Sequence, residues 1–174
     1  MFRMLRWCVG LFAICLALAV HAEDFDAMIR DEIIRERGDT AAFEEIKRTA
    51  ERGDAVAQYR LGVTYFGVKN SEGAVKWLRK AAEQGNVDAQ VTLGGICSNW
   101  AKLSKKYAEE TEKWYRKAAE QGNTGAQASL GLMLYDSSRQ GDKEEAAKWL
   151  RKAADQGNRL ARSRLEDIDK NNKR

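Results

Sequence analysis

Three stretches decide the fold: Lys76-Trp77-Leu78-Arg79-Lys80-Ala81-Ala82-Glu83-Gln84-Gly85-Asn86, Lys113-Trp114-Tyr115-Arg116-Lys117-Ala118-Ala119-Glu120-Gln121-Gly122-Asn123, and Lys148-Trp149-Leu150-Arg151-Lys152-Ala153-Ala154-Asp155-Gln156-Gly157-Asn158. Their first residues are 37 and then 35 positions apart, and a weaker copy ends at Arg52-Gly53-Asp54. Periods of this length belong to solenoids of helix pairs. Within a copy, Trp77, Leu78, Ala81 and Ala82 form one apolar stripe at helical spacing, with Lys76, Arg79, Lys80 and Glu83 on the other side. Gly85 suits the left-handed position that ends a helix. Asn86 suits the cap of the next one. The two residues together join helices with almost no loop, which makes those helices neighbours.

The helix after each Gly-Asn has its own pattern. Ala57-Gln58-Tyr59-Arg60-Leu61-Gly62 matches Ala89-Gln90-Val91-Thr92-Leu93-Gly94 and Ala126-Gln127-Ala128-Ser129-Leu130-Gly131. A glycine inside a helix costs about 1 kcal/mol against alanine. Three in one register predict a neighbouring helix packed where a β-carbon would intrude. The fourth copy, Ala161-Arg162-Ser163-Arg164-Leu165-Glu166, places Glu166 at that position, as a polar end cap would.

These motifs resemble the Sel1-like repeat family, relatives of tetratricopeptide repeats, over roughly residues 38–168. The resemblance implies an all-α, right-handed α-solenoid of antiparallel helix pairs, about 3.5 repeats with polar terminal capping helices. The expected organisation is a leader over 1–22, an N-terminal degenerate helix pair over 23–53, and three repeats within 54–158 (54–85, 86–122, 123–157). A C-terminal capping helix and tail follow over 158–174. The family's usual turn between paired helices is reduced to Gly67-Val68 in the first repeat. In the second it is replaced by a longer segment, Ser98 to Glu110.

Upstream, Arg3 and Arg6 precede an uncharged run from Trp7 to Val20, and Val20-His21-Ala22 reads as a small-residue exit. This is a secretory signal pattern with cleavage after Ala22. The run is shorter than the ~20 residues a membrane-spanning helix needs. Export places the protein in the periplasm or outside the cell, with no stable membrane insertion after cleavage. Arg3 and Arg6 leave with the leader, so 28 basic side chains face 26 acidic ones, a balance of +2. His21, Cys8 and Cys15 leave too. Downstream, Phe25, Met28, Ile29 and Ile33 follow helical spacing, as do Phe43, Ile46 and Ala50 after Gly38-Asp39.

The remaining inventory argues against catalysis. Without histidine beyond the leader there is no Ser-His or Cys-His dyad. Cys97 alone does not supply the four ligands of a zinc site, so no metal is expected. No glycine-rich phosphate cradle is present, and no cofactor is expected. Asp142 with Glu145 three residues on reads as a capping box. Some secreted Sel1-like proteins are associated with β-lactam binding and carry a cysteine pair in each repeat. This chain has no such pairs and no S-x-x-K, so a cell-wall or β-lactam binding module, like an immunity-type protein, is the alternative to the main expectation.

That expectation is a non-catalytic adaptor that binds a protein or peptide. Family solenoids bind along the concave surface of their first helices. Counting +3, +7 and +10 from Ala57, Ala89 and Ala126 gives Arg60, Thr64 and Gly67; Thr92, Ile96 and Asn99; Ser129, Met133 and Asp136. These are the expected partner-binding residues. A second candidate is the segment Trp100 to Tyr107, with Trp100, Lys105, Lys106 and Tyr107 either on a loop or on an extended helix whose aromatics rejoin the core. Nucleic acid is disfavoured by export and the modest charge. Trp77, Trp114 and Trp149 share one register, which predicts core positions rather than a stacking ladder.

Overall fold

A computed structural model describes residues 40–102, 104–137 and 141–172. Among them are eight helices and no strand: α1 (Thr40–Glu51), α2 (Ala55–Gly67), α3 (Ser71–Glu83), α4 (Val87–Trp100), α5 (Lys105–Glu120), α6 (Thr124–Tyr135), α7 (Asp142–Asp155) and α8 (Arg159–Asn172). The leader and the helix expected around Phe25 to Ile33 lie outside the described residues.

The chain order makes three pairs, α2–α3, α4–α5 and α6–α7, each stacked on the next. A second-type helix, α1, precedes them and a first-type helix, α8, closes them. The Gly-Asn junction works as its residues predict. Gly85 adopts φ +91°, Gly122 and Gly157 +89°. Asn86, Asn123 and Asn158 then accept backbone N–H bonds from Ala89, Ala126 and Ala161 at 2.8–2.9 Å. Asp54 does the same for Ala57 at 2.7 Å. Each bond satisfies one of the donors a helix start leaves open.

The in-register glycines are close-approach points. A β-carbon on Gly62 would lie 2.7 Å from Leu78 Cγ, on Gly94 2.8 Å from the Tyr115 ring, and on Gly131 2.7 Å from Leu150 Cγ. The residue after each tryptophan therefore fills the space that the glycine leaves. Leu61, Leu78, Leu93, Leu130 and Leu150 are fully buried around these contacts.

Two expectations are corrected. The interruption of the second repeat is far shorter than Ser98 to Glu110. α4 runs to Trp100 and α5 begins at Lys105, because the stretch holds no proline or glycine to stop a helix. Ser104 caps α5. In α7 the cap position is Gly141, at φ +89°, and no side chain closes it. The carboxylate of Glu145 is drawn away from the helix start to Arg116 of the preceding repeat and to Trp149 Nε1.

Candidate functional site

The first helices α2, α4 and α6 each have a core side and a solvent side, and the burial of α2 fixes which is which. Ala57, Gln58, Leu61, Gly62 and Tyr65 are buried, whereas Val56, Arg60, Val63, Phe66 and Gly67 are exposed. On α4 the equivalent outward positions are Asp88, Thr92, Gly95, Ser98 and Asn99; on α6 they are Gly125, Ser129, Leu132, Tyr135 and Asp136. Asp88, Ser98, Asn99, Gly125 and Asp136 are exposed, and Thr92, Gly95, Ser129, Leu132 and Tyr135 are half-buried.

Most of the expected partner-binding residues therefore reach solvent; the +7 position is the most enclosed, and Ile96 there is buried. Ile96 is buried with Leu93 and Cys97, and is removed from the binding set. Met133 is half-buried against the cluster that holds Leu130 and Leu134. Thr64 is half-buried and spends its hydroxyl on the Arg60 carbonyl. At 100° per residue the +7 position comes back to within about 20° of the buried alanine from which it is counted, the core side of the helix. The outward centre of the helix lies instead at −1 and +6, the positions of Val56 and Val63.

For the Trp100 to Tyr107 segment the structure takes the second alternative, helix ends with only a short break between them. Trp100 ends α4 and packs against the core, and its ring lies 5.4 Å from that of Tyr107 in a tilted contact. Lys105 and Lys106 stand exposed in the first turn of α5. Trp100 rejoins the core, and half-buried Tyr107 leans on it.

The tryptophans are core residues roofed by charge. Trp114 is 1% exposed and Trp77 is buried, while Trp149 is half-buried. Lys80 lies 4.4 Å from the Trp77 ring centre, Lys113 4.7 Å from that of Trp114, and Lys152 4.4 Å from that of Trp149. The exposed lysines set their ammonium groups over the indole rings in cation–π contacts. No open ring face is left for a stacked ligand at Trp114.

Sequence reasoning missed the glutamines. Gln58, Gln90 and Gln127 are buried polar side chains with both ends satisfied. Each donates from Nε2 to a carbonyl of the preceding second helix: Ala50 at 3.1 Å, Ala82 at 3.0 Å, Ala119 at 3.1 Å. Each accepts at Oε1 from the following second helix: Gln84 at 2.7 Å, Gln121 at 2.8 Å, Gln156 at 2.7 Å. One amide thus ties three successive helices together, and only a side chain with a donor and an acceptor on one end can do so. The signal was present in the invariant Gln of both motifs.

Ionic contacts add to these, two of them between repeats (Arg79–Glu110 and Arg116–Glu145) and one within a helix (Arg116–Glu112). Arg79 pairs with Glu110 at 3.0 Å, and Arg116 pairs with Glu145 and, at 3.0 Å, with Glu112. The hydrogen bond from Arg116 holds the Glu145 carboxyl below its usual range. Cys97 Sγ lies 3.5 Å from Glu110. Burial, with Glu110 beside it, pushes the thiol up to about 11, the opposite of an activated nucleophile. Trp114 Nε1 is buried and finds no partner among the described residues. Its counterpart Trp149 Nε1 donates to Glu145, four residues back, at 3.1 Å. The residue four back from Trp114 is Glu110, already engaged by Arg79 and Cys97.

No group of three or more metal-ligating side chains exists among the described residues. No described helix is long and apolar enough to cross a membrane.

Known proteins share these features. The Sel1 repeat family model matches residues 55–86, 108–123 and 124–158. It leaves 87–107 unmatched, yet α4 in that interval keeps the cap, the buried Gln90 and the close-packed Gly94. The chain is similar to a Sel1 repeat protein from Oxalobacter formigenes of known structure, 34% identical over 72% of this chain and 98% of that one, with a TM-score of 0.63. It is also similar to a protective antigen present in uropathogenic Escherichia coli strains that displays an SLR fold. That match is 36% identical over 70% of this chain and 27% of that one, with a TM-score of 0.62. Among curated proteins it resembles an F-box protein of Arabidopsis thaliana, 47% identical over 49 residues, or 27% of this chain. The match spans 14% of the length of that protein.

Proposed function

The chain belongs to the Sel1 repeat family, and from that premise we propose that it is a non-catalytic adaptor of the bacterial cell envelope that binds a protein or peptide on the solvent side of its first helices. Its fold, a Sel1-repeat solenoid, is of the protein-interaction scaffold type. One observation carries the choice of face. The core side of α2, α4 and α6 keeps Ala, Gln, Leu and Gly in register, whereas the outward side changes from repeat to repeat. It reads Val56, Arg60, Val63 and Phe66, then Asp88, Thr92, Gly95 and Ser98, then Gly125, Ser129, Leu132 and Tyr135. A surface freed from packing duty is the one able to specify a partner. The envelope assignment is supported by the basic, apolar, small-residue order of residues 1–22.

The test is co-purification from an envelope extract with the exported protein, compared with the variant Thr92→Asp with Ser129→Asp. Loss of one specific protein, with helical circular dichroism unchanged, is expected. Retention of every captured protein by the variant rules out this face.

A further inference from the structure

Among the described residues the half-buried arginines are Arg79, Arg116 and Arg164. A guanidinium drawn partly out of water still carries five N–H donors, and leaving them without acceptors is costly. Arg79 meets that demand with Glu110, and Arg116 with Glu145 and Glu112. Arg164 has no ion pair among the described residues. Its guanidinium lies over the Tyr135 ring, 5.6 Å from the ring centre. A guanidinium stacked on a ring keeps its edge, where the N–H groups are, for a planar acceptor such as a carboxylate. Arg164 is thus held in place by an aromatic neighbour while its fork stays open.

The position of Arg164 in the repeat gives the open fork a direction. Counted from Ala161, it is the +3 residue of α8, and the +3 residues of α2, α4 and α6 are Arg60, Thr92 and Ser129. Leu132 of α6 joins one buried cluster with Leu165 and Ile168 of α8, so α8 continues the layer of first helices. The row across that layer therefore reads Arg60, Thr92, Ser129, Arg164, with a cation at each end and two hydroxyls between. Arg60 is exposed and likewise has no ion pair among the described residues. The nearby acids Asp88, Asp136 and Asp167 stand at other positions of their helices and pair with neither arginine. Packed helices lie about 8–10 Å apart, so the three steps from α2 to α8 span about 24–30 Å. An extended chain covers that distance in about eight residues.

We propose that this row binds an extended acidic peptide, with Arg164 and Arg60 each taking an Asp or Glu side chain of the peptide and the hydroxyls of Thr92 and Ser129 meeting its backbone between them. Cations at both ends of the row call for acidic side chains, because a peptide has only one terminal carboxylate. Arg164 is the stronger of the two positions, since its guanidinium is already oriented and partly desolvated. The inference rests on the binding face proposed above and names the class of partner that face takes.

The test is fluorescence anisotropy on the full chain with labelled peptides of about ten residues, long enough to span the row. The probes are a Glu-Ser repeat and a Gln-Ser repeat, both amide-capped, and the Gln-Ser repeat with a free carboxyl end. The amide-capped acidic probe is expected to bind about tenfold tighter than its Gln-Ser counterpart. Arg164→Gln should weaken the acidic probe about tenfold, and Arg60→Gln, at an exposed position that carries no packing, by a smaller factor. Arg162→Gln removes the same charge from another side of α8 and should leave binding unchanged. Equal affinity for the Glu-Ser and Gln-Ser probes overturns the proposal, as does equal weakening by Arg162→Gln and Arg164→Gln. Binding of the free-carboxyl Gln-Ser probe as tight as that of the acidic one also overturns it and makes a chain terminus the ligand. Each of these results leaves the binding face itself standing if photoreactive residues at Thr92 and Ser129 still capture one protein in cells; loss of that capture is the separate failure of the face.

Discussion

Adjacent glycines in α4 are expected to respond in opposite senses to alanine. Both sit in a helix interior, where Gly→Ala gains about 1 kcal/mol from backbone entropy. They differ in what a methyl group would meet. At Gly94 it would stand 2.8 Å from two carbons of the Tyr115 ring, closer than real contacts allow. At Gly95 the nearest atom is the Tyr115 hydroxyl at 3.7 Å, an ordinary contact. Overpacking costs about 1–3 kcal/mol. Gly94→Ala therefore nets a loss of about 1 kcal/mol, and Gly95→Ala a gain of about 0.5–1 kcal/mol. Urea unfolding followed by circular dichroism resolves the gap of about 2 kcal/mol, which is near 1 M in midpoint for a slope of about 2 kcal/mol per M. Gly131→Ala serves as a stricter case, because its methyl would also lie 3.1 Å from the Leu150 backbone nitrogen. The reasoning is refuted if Gly94→Ala raises the midpoint, or if the two α4 variants shift it equally in the same direction.

Three further outcomes are expected. Gln90→Ala strips partners from the Ala82 carbonyl and the Gln121 amide, and should cost about 1–3 kcal/mol in urea unfolding; an effect near zero would show the glutamine ties to be incidental. Trp114→Ala should cost about 3–5 kcal/mol through the cavity it leaves. Trp114→Phe should cost much less, because it also removes an unpaired donor. For Cys97, the folded-state thiol stands at about 11 against an ordinary 9.0. Its raised value adds stability that is fully present below pH 9 and is lost as the pH rises toward 11. The difference in urea midpoint between the natural chain and Cys97→Ala should therefore shrink between pH 8 and pH 10.5; a difference independent of pH contradicts this.

Much of the fold was legible because its signals are local. Gly85-Asn86 is a helix stop and a helix cap in adjacent residues, and the structure uses both. The glycine register at 62, 94 and 131 disclosed a close approach without identifying its partners, Leu78, Tyr115 and Leu150. What escaped the sequence depends on distant groups. Gln58 reads as one more polar helix residue until Ala50 and Gln84, 8 and 26 positions away, are brought to it. Asp142 and Glu145 make a plausible capping box, but Arg116, 29 positions before Glu145, claims the carboxylate. The binding face was legible only to within one helical position. A count of +7 from alanine selects Ile96, which neighbouring packing turns inward, and passes over Val63, which stands open beside it in the repeat frame. The segment from Trp100 to Tyr107 left loop and helix open because it breaks the repeat length; with no proline or glycine in it, the helices close in to a short break between Trp100 and Lys105.

The most direct test of the account is photo-crosslinking in living cells from Thr92, Asn99 and Ser129, each replaced in turn by a photoreactive residue, with Lys80 on the second-helix layer as the control. The account predicts that one and the same protein is captured from the three first-helix positions and not from Lys80. Capture from Lys80 with none from the other three would contradict it and move the interaction to the opposite side of the solenoid.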